Sequence, residues 1–346
     1  MPVKPPAPPA SVLVLGIVPS LTWLVARCLR RAGHAPDILC WHALSPMRLS
    51  GDCRHYLSWS RIHKTGGTLD VCALDQVRSV CRRHATGSVL GADFDTALLL
   101  ARARGDAAIP ACATPSAATI TTFNNKWNLA RLLEQLGLPY PESEYADSAA
   151  ALLGTALPFP IISKPLDKWA SVGFEIHASR AQLAATVAAG RLKATYPLIV
   201  QRFIPGWDVG ASFLARDGKL AAYSVFRHLR RGEREFYDDA RVRQYLEVFV
   251  AATNYNGVGH IDARYDPASR AYRILELNPR FWASLLYAAN AGLNYPDLLL
   301  QLAQWDGKTV QRARQSAVRL PAYERAMGLG NRWFSIGYEK LTRAKL

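Results

Sequence analysis

The stretch Ile274-Leu275-Glu276-Leu277-Asn278-Pro279-Arg280-Phe281 covers the end of a predicted strand and the turn that follows it. Residues two apart in a pleated strand share one face, so Glu276 and Asn278 are predicted to point to the same side. Leu275 and Leu277 then point to the other side, into the core. A strand that places an acid and an amide on one face and leucines on the other indicates a partly buried polar site.

Asp262 lies on the preceding predicted strand of an antiparallel pair and is predicted to face the same side as Glu276 and Asn278. Two carboxylates and an amide oxygen brought together repel one another unless a cation lies between them. Hard oxygen ligands in this number suit Mg²⁺, with nucleotide phosphates completing its coordination. The three residues are therefore predicted metal ligands. Taken alone, the Glu-x-Asn pattern is also typical of a polar strand end.

Three cations accompany the predicted metal ligands. Arg280 offers a rigid planar fork for a carboxylate or a phosphate. Lys164 ends a short apolar strand, where scarce water strengthens its attraction for phosphate, and the loop 167–173 that follows can fold over phosphates. Lys126 opens a predicted helix, a position where a lysine is commonly a plain solvent-exposed charge. The group as a whole favours a phosphate-binding site.

The chemistry-bearing motifs follow one another in a characteristic order. In chain order they are Lys126, Pro160-Ile161-Ile162-Ser163-Lys164-Pro165, Val200-Gln201-Arg202-Phe203-Ile204-Pro205-Gly206-Trp207-Asp208, Asp262 and Glu276-Leu277-Asn278-Pro279-Arg280-Phe281. This order resembles the ATP-grasp superfamily, in its carbamoyl-phosphate-synthase-like branch, over residues 120–305. The resemblance implies an α/β fold of the α+β grasp type, in which a Rossmann-like pre-ATP-grasp domain precedes the two-lobed ATP-grasp fold.

The resemblance also implies a role for each matched residue. The implied metal ligands are Asp262, Glu276 and Asn278. The implied catalytic residues are Arg280, which would steady an acyl-phosphate, Lys164, and His260, which stands where some members carry a basic transition-state group. The implied nucleotide-binding residues comprise two lysines for the phosphates, a hinge strand for adenine, an acid for the ribose hydroxyls, and lid and clamp residues: Lys126, Lys164, Gln201, Arg202, Phe203, Ile204, Asp208, Ser171 and Arg227.

The chain departs from the family pattern in its lid and its hinge. The loop Trp169-Ala170-Ser171-Val172-Gly173 has one glycine where the family's lid commonly has several, which would stiffen closure or weaken ATP binding. Gln201 stands where many members have Glu. Four arginines then crowd a segment that is either a solvated basic loop or a clamp for the triphosphate or an acidic acceptor: Arg227, Arg230, Arg231 and Arg234.

The predicted organisation runs from a Pro-rich leader to a basic tail. Its divisions are a disordered leader (1–10), a Rossmann-like pre-ATP-grasp domain (11–115), the small lobe with the lid (120–200), the large lobe with the magnesium site (201–310) and a C-terminal basic extension (311–346). The first βα turn, at Gly16, has one glycine where a dinucleotide fingerprint needs three, which favours a structural role for the first domain. A linker is predicted at 114–122, and Asn124 is predicted to cap the helix that carries Lys126.

Composition bounds the remaining function classes. The chain has 346 residues, is 50% hydrophobic and carries a formal charge of +15, so it is neither disordered nor collagen-like and should favour anionic ligands. It has no apolar run of about 18 residues. Its six cysteines show no CxxC pair, which suits a reducing cytoplasm.

The function that these features predict is an ADP-forming carboxylate–amine ligase acting through an acyl-phosphate, with ATP and Mg²⁺, or Mn²⁺, as cofactors. Its partners would be small-molecule carboxylate and amine substrates, with a preference for acidic ones, and the chain would be a monomer or homodimer. One alternative is a non-catalytic nucleotide-binding protein with the same fold. Another is a nucleic-acid binder, which the charge suggests but no recognisable module supports. The tail from Gly328, rich in basic and aromatic residues, would contact an anionic membrane or close over the core.

Overall fold

The computed structural model describes residues 11–41, 45–60, 64–65, 68–168, 172–229 and 232–343, and side chains as far as residue 332. Within these residues the strands form three larger sheets and a two-stranded ribbon. The mixed α/β architecture agrees with the prediction. None of the helices in this part of the chain combines the length and the apolar character that crossing a bilayer requires.

The first sheet is built from short apolar runs joined by helices. Its elements are β1 (Ser11–Gly16), α1 (Pro19–Arg31), β2 (Asp37–Cys40), a 3₁₀ turn (Pro46–Leu49), β3 (Tyr56–Ser58), β4 (Lys64–Thr65), β5 (Thr68–Leu69), α2 (Ala73–His84), β6 (Thr86–Gly91) and α3 (Phe94–Arg102). The strand order is β3-β2-β1-β6, all parallel, while β4 and β5 form the ribbon. Such a sheet is buried on both faces, as the wholly buried β2 shows.

The turn after β1 is closed by an acid that follows the neighbouring strand β6. The backbone N–H groups of Ile17 and Val18 donate to Oδ2 of Asp93, at 2.6 and 2.8 Å. Asp93 is buried and also caps α3. Because a carboxylate of the chain itself occupies these amides, they are not available to a dinucleotide phosphate, in line with the predicted structural role.

The second sheet is antiparallel and follows two helices. The elements of this region are α4 (Ala117–Asn124), α5 (Lys126–Gln135), β7 (Ser143–Ala146), α6 (Ala149–Leu153), β8 (Ile161–Pro165), β9 (Glu175–His177), α7 (Arg180–Ala188) and β10 (Leu198–Arg202). The strand order is β7-β10-β8-β9. Its core is formed by Ile161, Leu183, Leu198 and their neighbours.

Two predictions for residues 114–125 are wrong. The predicted linker contains α4, because Ser116 caps its first turn and Ile120 and Phe123 are buried against neighbouring elements. The cap of α5 is Asn125 rather than Asn124. The Asn125 side chain accepts hydrogen bonds from the backbone N–H groups of Trp127 and Asn128, at 3.0 and 3.1 Å.

The third sheet is the largest and carries the last third of the chain. Its region comprises β11 (Trp207–Arg216), β12 (Lys219–His228), β13 (Arg234–Tyr237), α8 (Ala240–Ala252), β14 (Gly257–Asp266), β15 (Ala271–Asn278), α9 (Leu285–Asn290), α10 (Tyr295–Gln301), a 3₁₀ turn (Leu302–Gln304), β16 (Gln311–Arg312), β17 (Ser316–Val318) and α11 (Ala322–Arg343). The order is β15-β14-β11-β12-β13-β17, with β16 beside β12. The predicted extension at 311–346 therefore begins within this sheet.

The large sheet is covered differently on its two faces. One face packs on α5 and α8 through a cluster that includes Leu129, Leu246 and Phe249. The other face shares a core with α1, α9 and α10, in which Trp23, Phe226 and Trp282 are buried. This second face is also the one on which the polar residues of β14 and β15 lie.

A buried acid anchors the amino-terminal edge of the first sheet. The Asp37 side chain is fully buried and receives a two-point contact from Arg54, at 3.0 and 2.7 Å. His55 Nδ1 and His84 Nδ1 lie 2.8 and 3.0 Å from the same carboxylate. Burial alone would raise the pKa of Asp37, but Arg54 and the histidines outweigh it and lower the pKa.

We expect Asp37→Asn to lower the free energy of unfolding by about 1–3 kcal/mol at neutral pH, because a charge-assisted hydrogen-bond network is lost. Since the native pKa of Asp37 is depressed, this contribution is present above the unfolded pKa of about 3.9 and is lost as the pH falls through the native value. Urea unfolding at pH 7 and at pH 3 measures both. The exposed Asp75→Asn is the control, and a variant difference that stays constant with pH would contradict the argument.

Candidate active site

The pairing of β14 with β15 sets the register of the predicted metal ligands. Asp262 lies directly opposite Glu276, and His260 lies opposite Asn278. The four side chains therefore share one face of the sheet, as predicted for Asp262, Glu276 and Asn278. A bulge leaves Leu275 without a partner in the ladder, and its side chain is only partly buried. The prediction of a core position is correct for Leu277, which is 1% exposed, and wrong for Leu275.

The polar side chains of this face form a connected set. Asn278 Nδ2 donates to Asp262 Oδ2 at 3.1 Å, and Arg280 Nη2 donates to Asn278 Oδ1 at 2.8 Å. Arg280 Nη1 also donates to the carbonyl of Phe281 at 2.7 Å. Burial lowers the pKa of Arg280, against the influence of Glu276, Asp93 and Asp262. The guanidinium is thus held rigidly beside two of the predicted metal ligands.

Lys126 joins three separate parts of the chain. Its Nζ lies 3.3 Å from Glu276 Oε2 and donates to the carbonyl of Lys168 at 2.5 Å. The side chain is only 5% exposed, although it opens helix α5. The alternative of a solvent-exposed lysine therefore does not hold. The contact brings the start of α5, the loop after β8 and the end of β15 to one point.

Lys164 projects from β8 towards the same point. Burial lowers the pKa of Lys164 to about 8, although the charges of Glu276 and Asp262 act to raise it. The charge of Lys126 adds to the lowering. Lys164 therefore lies within electrostatic range of Lys126, Glu276 and Asp262.

His260 is held as a layer between two aromatic rings. Its ring stacks on Trp282 with a centroid distance of 5.2 Å and on Phe226 with one of 6.0 Å. Nδ1 lies 2.9 Å from Ser212 Oγ, and Nε2 lies 3.3 Å from Asp262 Oδ1. The imidazole is buried, so this arrangement orients the Asp262 carboxylate rather than exposing a base to a ligand.

Asp262 is ionised more readily than an ordinary aspartate. Partial desolvation acts to raise its pKa, but His260 and Arg280 outweigh this effect and lower it. Its side chain is 51% exposed and can therefore meet a ligand. In the described part of the chain, no third His, Cys, Asp or Glu joins Asp262 and Glu276 in a compact group. The third oxygen for a cation has to come from Asn278, whose amide would need to turn its oxygen towards Asp262.

The predicted adenine hinge lies where β10 ends. Gln201 is buried, and its Nε2 donates to Ser143 Oγ at 2.8 Å. The backbone N–H of Phe203 donates to Pro160 at 3.0 Å, and Ile204 is buried. The Arg202 side chain turns away, lying within 4 Å of Glu142 and Asp266. These contacts leave the backbone, rather than the Arg202 side chain, to meet a base.

The predicted ribose-binding acid is already paired. Asp208 is 59% exposed, and Arg264 Nη1 donates to its Oδ1 at 2.6 Å. The same guanidinium donates to the carbonyl of Gly206 at 2.8 Å and lies over the Phe203 ring. Gly206 has a positive φ of 108°, and a Cβ there would overlap the carbonyl oxygen of Tyr265. Arg264 thus ties the hinge to the site face.

The structure does not bring Arg227 to this face. It lies in β12, where its cross-strand neighbours are Val209 and Glu235, and it pairs with Glu235. Phe226 and His228 point to the site, so Arg227 points away from it. The prediction that Arg227 binds the nucleotide is therefore wrong, because β12 extends to His228 and the alternation of its side chains turns Arg227 to the opposite face. Ser171, Arg230 and Arg231 lie outside the described residues.

Sequence reasoning missed several residues of the site face. Phe226 lies across from Gly210, and the others lie two positions from a residue singled out by the sequence or directly across a strand from one: Gly210, Ser212, His228, Arg264 and Trp282. Gly210 has a specific purpose, since a Cβ there would overlap the Phe226 ring and approach the His260 ring to 2.9 Å. Strand periodicity could have indicated these positions once the order of the strands was known.

Comparison with known proteins gives similarity in both sequence and structure. A family model described as "ATP-grasp in the biosynthetic pathway with Ter operon" matches residues 194–326. The C-terminal section of the carbamoyl phosphate synthase large chain from Methanopyrus kandleri is 24% identical over 180 residues. That match covers 46% of this chain and 33% of the relative, so the chain matches about a third of that protein's length.

Solved structures resemble the chain over most of its length. An L-amino acid ligase from Bacillus licheniformis has a TM-score of 0.64 at 16% identity, covering 86% of this chain and 77% of its own. The biotin carboxylase domain of Hydrogenobacter thermophilus 2-oxoglutarate carboxylase, solved with MgADP, has a TM-score of 0.66 at 12% identity. The match covers 88% of this chain and 72% of that domain. The ADP complex of N5-carboxyaminoimidazole synthetase from Staphylococcus aureus has a TM-score of 0.66 at 12% identity. The match covers 89% of this chain and 80% of the synthetase chain.

These likenesses define the class of the protein as one with the ATP-grasp fold, preceded by a parallel α/β sheet. The family model matches residues 194–326 and the carbamoyl phosphate synthase section is similar in sequence, so the resemblance to the ATP-grasp superfamily that the order of the motifs predicts is confirmed.

We expect Gly210→Ala to destabilise the protein by about 1–3 kcal/mol, because the added methyl group overpacks Phe226 and His260. Gly330→Ala is the matched control, since nothing lies within 4 Å of a Cβ at that helical position. The control should be neutral or stabilise by about 0.5–1 kcal/mol. Thermal or urea unfolding of both variants measures the difference, and equal stabilities would contradict the packing argument.

Proposed function

We propose that the protein is an ATP-dependent, ADP-forming ligase that joins a carboxylate to an amine through an acyl-phosphate. The observation that carries the proposal is the convergence of Lys126, Lys164 and Arg280 on the facing carboxylates Asp262 and Glu276. One buried and two half-buried cations beside two acids form a site that a metal–phosphate complex would complement in charge. The family match and the fold support the same assignment.

The proposal assigns ATP and Mg²⁺ to this site. Asp262, Glu276 and Asn278 would hold Mg²⁺, which supplies neutralisation of the charge on the phosphate oxygens. The donor set fits a hard cation because it consists of oxygens on adjacent strands. We also propose the domain divisions given by the sequence, 11–115, 120–200 and 201–310, with the nucleotide between the second and third. Gln201 to Ile204 would meet adenine, and Asp208 the ribose.

The chain's own residues would act mainly by positioning and charge. Lys126 would exchange Glu276 and the Lys168 carbonyl for phosphate oxygens, and Lys164 would bind a second phosphate. A substrate carboxylate oxygen then attacks the γ-phosphorus of ATP, and the bond between the γ-phosphorus and the bridging oxygen of ADP breaks. Arg280 would hold the resulting acyl-phosphate. An amine attacks the acyl carbon, inorganic phosphate leaves, and the amine proton passes to water.

Glu276→Gln tests the metal and phosphate assignment. Wild-type protein should be stabilised by Mg-ATP, by about 2.7 kcal/mol at a hundredfold excess over Kd, and much less by ATP in EDTA. The variant should lose most of the metal-dependent part, since it lacks one carboxylate ligand. Thermal unfolding with each ligand is the measurement.

The exposed Glu247→Gln on α8 is the control for Glu276→Gln and should keep the full shift. A folded Glu276→Gln protein that retains the wild-type shift would rule out the metal role. Absence of any Mg-ATP shift in the wild-type protein would count against the proposed function as a whole.

The pH dependence of Mg-ATP binding tests Lys164. Because the pKa of Lys164 is lowered to about 8, the ligand-free protein loses the ammonium charge as the pH rises through 8. Phosphate favours the protonated lysine, so Kd should be constant below pH 7 and rise by up to about tenfold per pH unit above 8. Lys164→Arg should bind with a flat profile between pH 7 and 9.5, because arginine remains charged. A flat wild-type profile would contradict the assignment.

A further inference from the structure

The site face continues beyond the predicted metal ligands onto β12 and β13. His228 lies directly opposite Arg234 across this strand pair, and Phe226 lies opposite Phe236. Since residues two apart share a face, His228 and Arg234 stand on the same side as Phe226 and Asp262. Arg234 is the cation at this end of the surface, and Glu276 lies at the other end.

Arg234 has aromatic neighbours but no acid partner. Its guanidinium lies 4.9 Å from the Tyr287 ring centroid and 5.9 Å from that of Phe226. Nη1 donates to the carbonyl of Glu233 at 3.0 Å, while Nε is buried without a hydrogen-bond partner. Among the residues that the structure describes, no carboxylate pairs with Arg234. The adjacent Glu235 points to the other face and pairs with Arg227.

The surroundings of Arg234 keep it in place. Tyr287 OH donates to the carbonyl of Gly232 at 2.7 Å, which ties α9 to the segment before β13. Burial lowers the pKa of Arg234, and burial together with Arg234 lowers that of His228. A half-buried guanidinium without a counter-ion is costly, and a ligand anion that can accept from Nε and Nη2 would relieve the cost.

The position of Arg234 separates it from the phosphate cations. β13 is four strands away from β15 in the sheet, which corresponds to about 19 Å at the usual strand spacing. Lys126 contacts Glu276 at the β15 end. One phosphate group cannot reach both ends. The planar guanidinium of Arg234, which lies between two aromatic rings, is suited to forming two parallel hydrogen bonds with a carboxylate.

We propose that Arg234, with His228 beside it, binds a free carboxylate group of the substrate, one that is not phosphorylated and that remains in the product. The inference rests on the proposed function and specifies its substrate class. At least one of the two substrates is then a molecule with a second functional group, such as a dicarboxylate or an amino acid. Arg234 is a specificity-determining residue in this scheme.

Thermal unfolding with matched ligand pairs tests the proposal. Each free carboxylate is compared with its amide, with and without saturating Mg-ADP: L-glutamate and L-glutamine, L-aspartate and L-asparagine, L-alanine and L-alaninamide, succinate and succinamate. We expect at least one carboxylate to stabilise the wild-type protein where its amide does not. Arg234→Gln should raise the Kd of that carboxylate tenfold or more and leave the Mg-ADP shift unchanged.

Control variants separate recognition from folding and from phosphate binding. Arg243→Gln, an exposed arginine on α8, should retain the carboxylate shift. Arg234→Lys keeps the charge without the planar fork and should recover only part of the affinity. Circular dichroism checks that each variant is folded, and Arg234→Lys replaces Arg234→Gln as the test variant if the latter is not.

Three results would overturn the proposal. They are a wild-type panel in which no carboxylate differs from its amide, a carboxylate shift that survives substitution of Arg234, and an Arg234 substitution that reduces the Mg-ADP shift instead. The last would make Arg234 a phosphate ligand. A missing Mg-ADP and Mg-ATP shift in the wild-type protein would oppose the proposed function, while the panel without nucleotide would still report on Arg234.

Discussion

The ion pair between Lys126 and Glu276 is the contact on which the geometry of the site depends. It links the start of α5, the loop after β8 and the end of β15, which are far apart in the chain. Lys126 is buried, and its repulsion of Lys164 acts together with burial to lower the pKa of Lys164. Glu276 and Asp262 offset this repulsion. The site is therefore held together by its own acids, and the phosphates that we propose would take over part of that role.

Much of the site could be predicted because strand periodicity is a strong constraint. Glu276 and Asn278 are two apart, and an antiparallel partner with the register of β14 brings Asp262 to the same face. The prediction that Leu275 is a core residue is wrong because a bulge at this residue interrupts the alternation of side chains between the two faces of the sheet. A bulge leaves no signal in a single sequence.

The errors elsewhere come from reading composition as structure. A Ser/Thr/Pro-rich segment was expected to be a linker, yet Ser116 caps α4, which is retained because Ile120 and Phe123 are buried. Arg227 is predicted to bind the nucleotide as part of a basic segment, yet β12 continues through it and strand parity turns it away from the site. A histidine can act as a base, but the His260 ring lies between the Phe226 and Trp282 rings. This position follows only from the way distant parts of the chain pack together.

The large positive charge of the chain has two physical origins that need to be kept apart. Many arginines are paired with acids and serve the fold, as Arg27 does with Asp52 and Glu324, both at 3.1 Å. Such pairs offer little to a polyanion, which weakens the case for nucleic acid. Arg234 is different, because it is partly buried and has no acid partner among the described residues. A cation that the fold does not neutralise is the better indicator of a ligand, since its desolvation is compensated only when an anion binds.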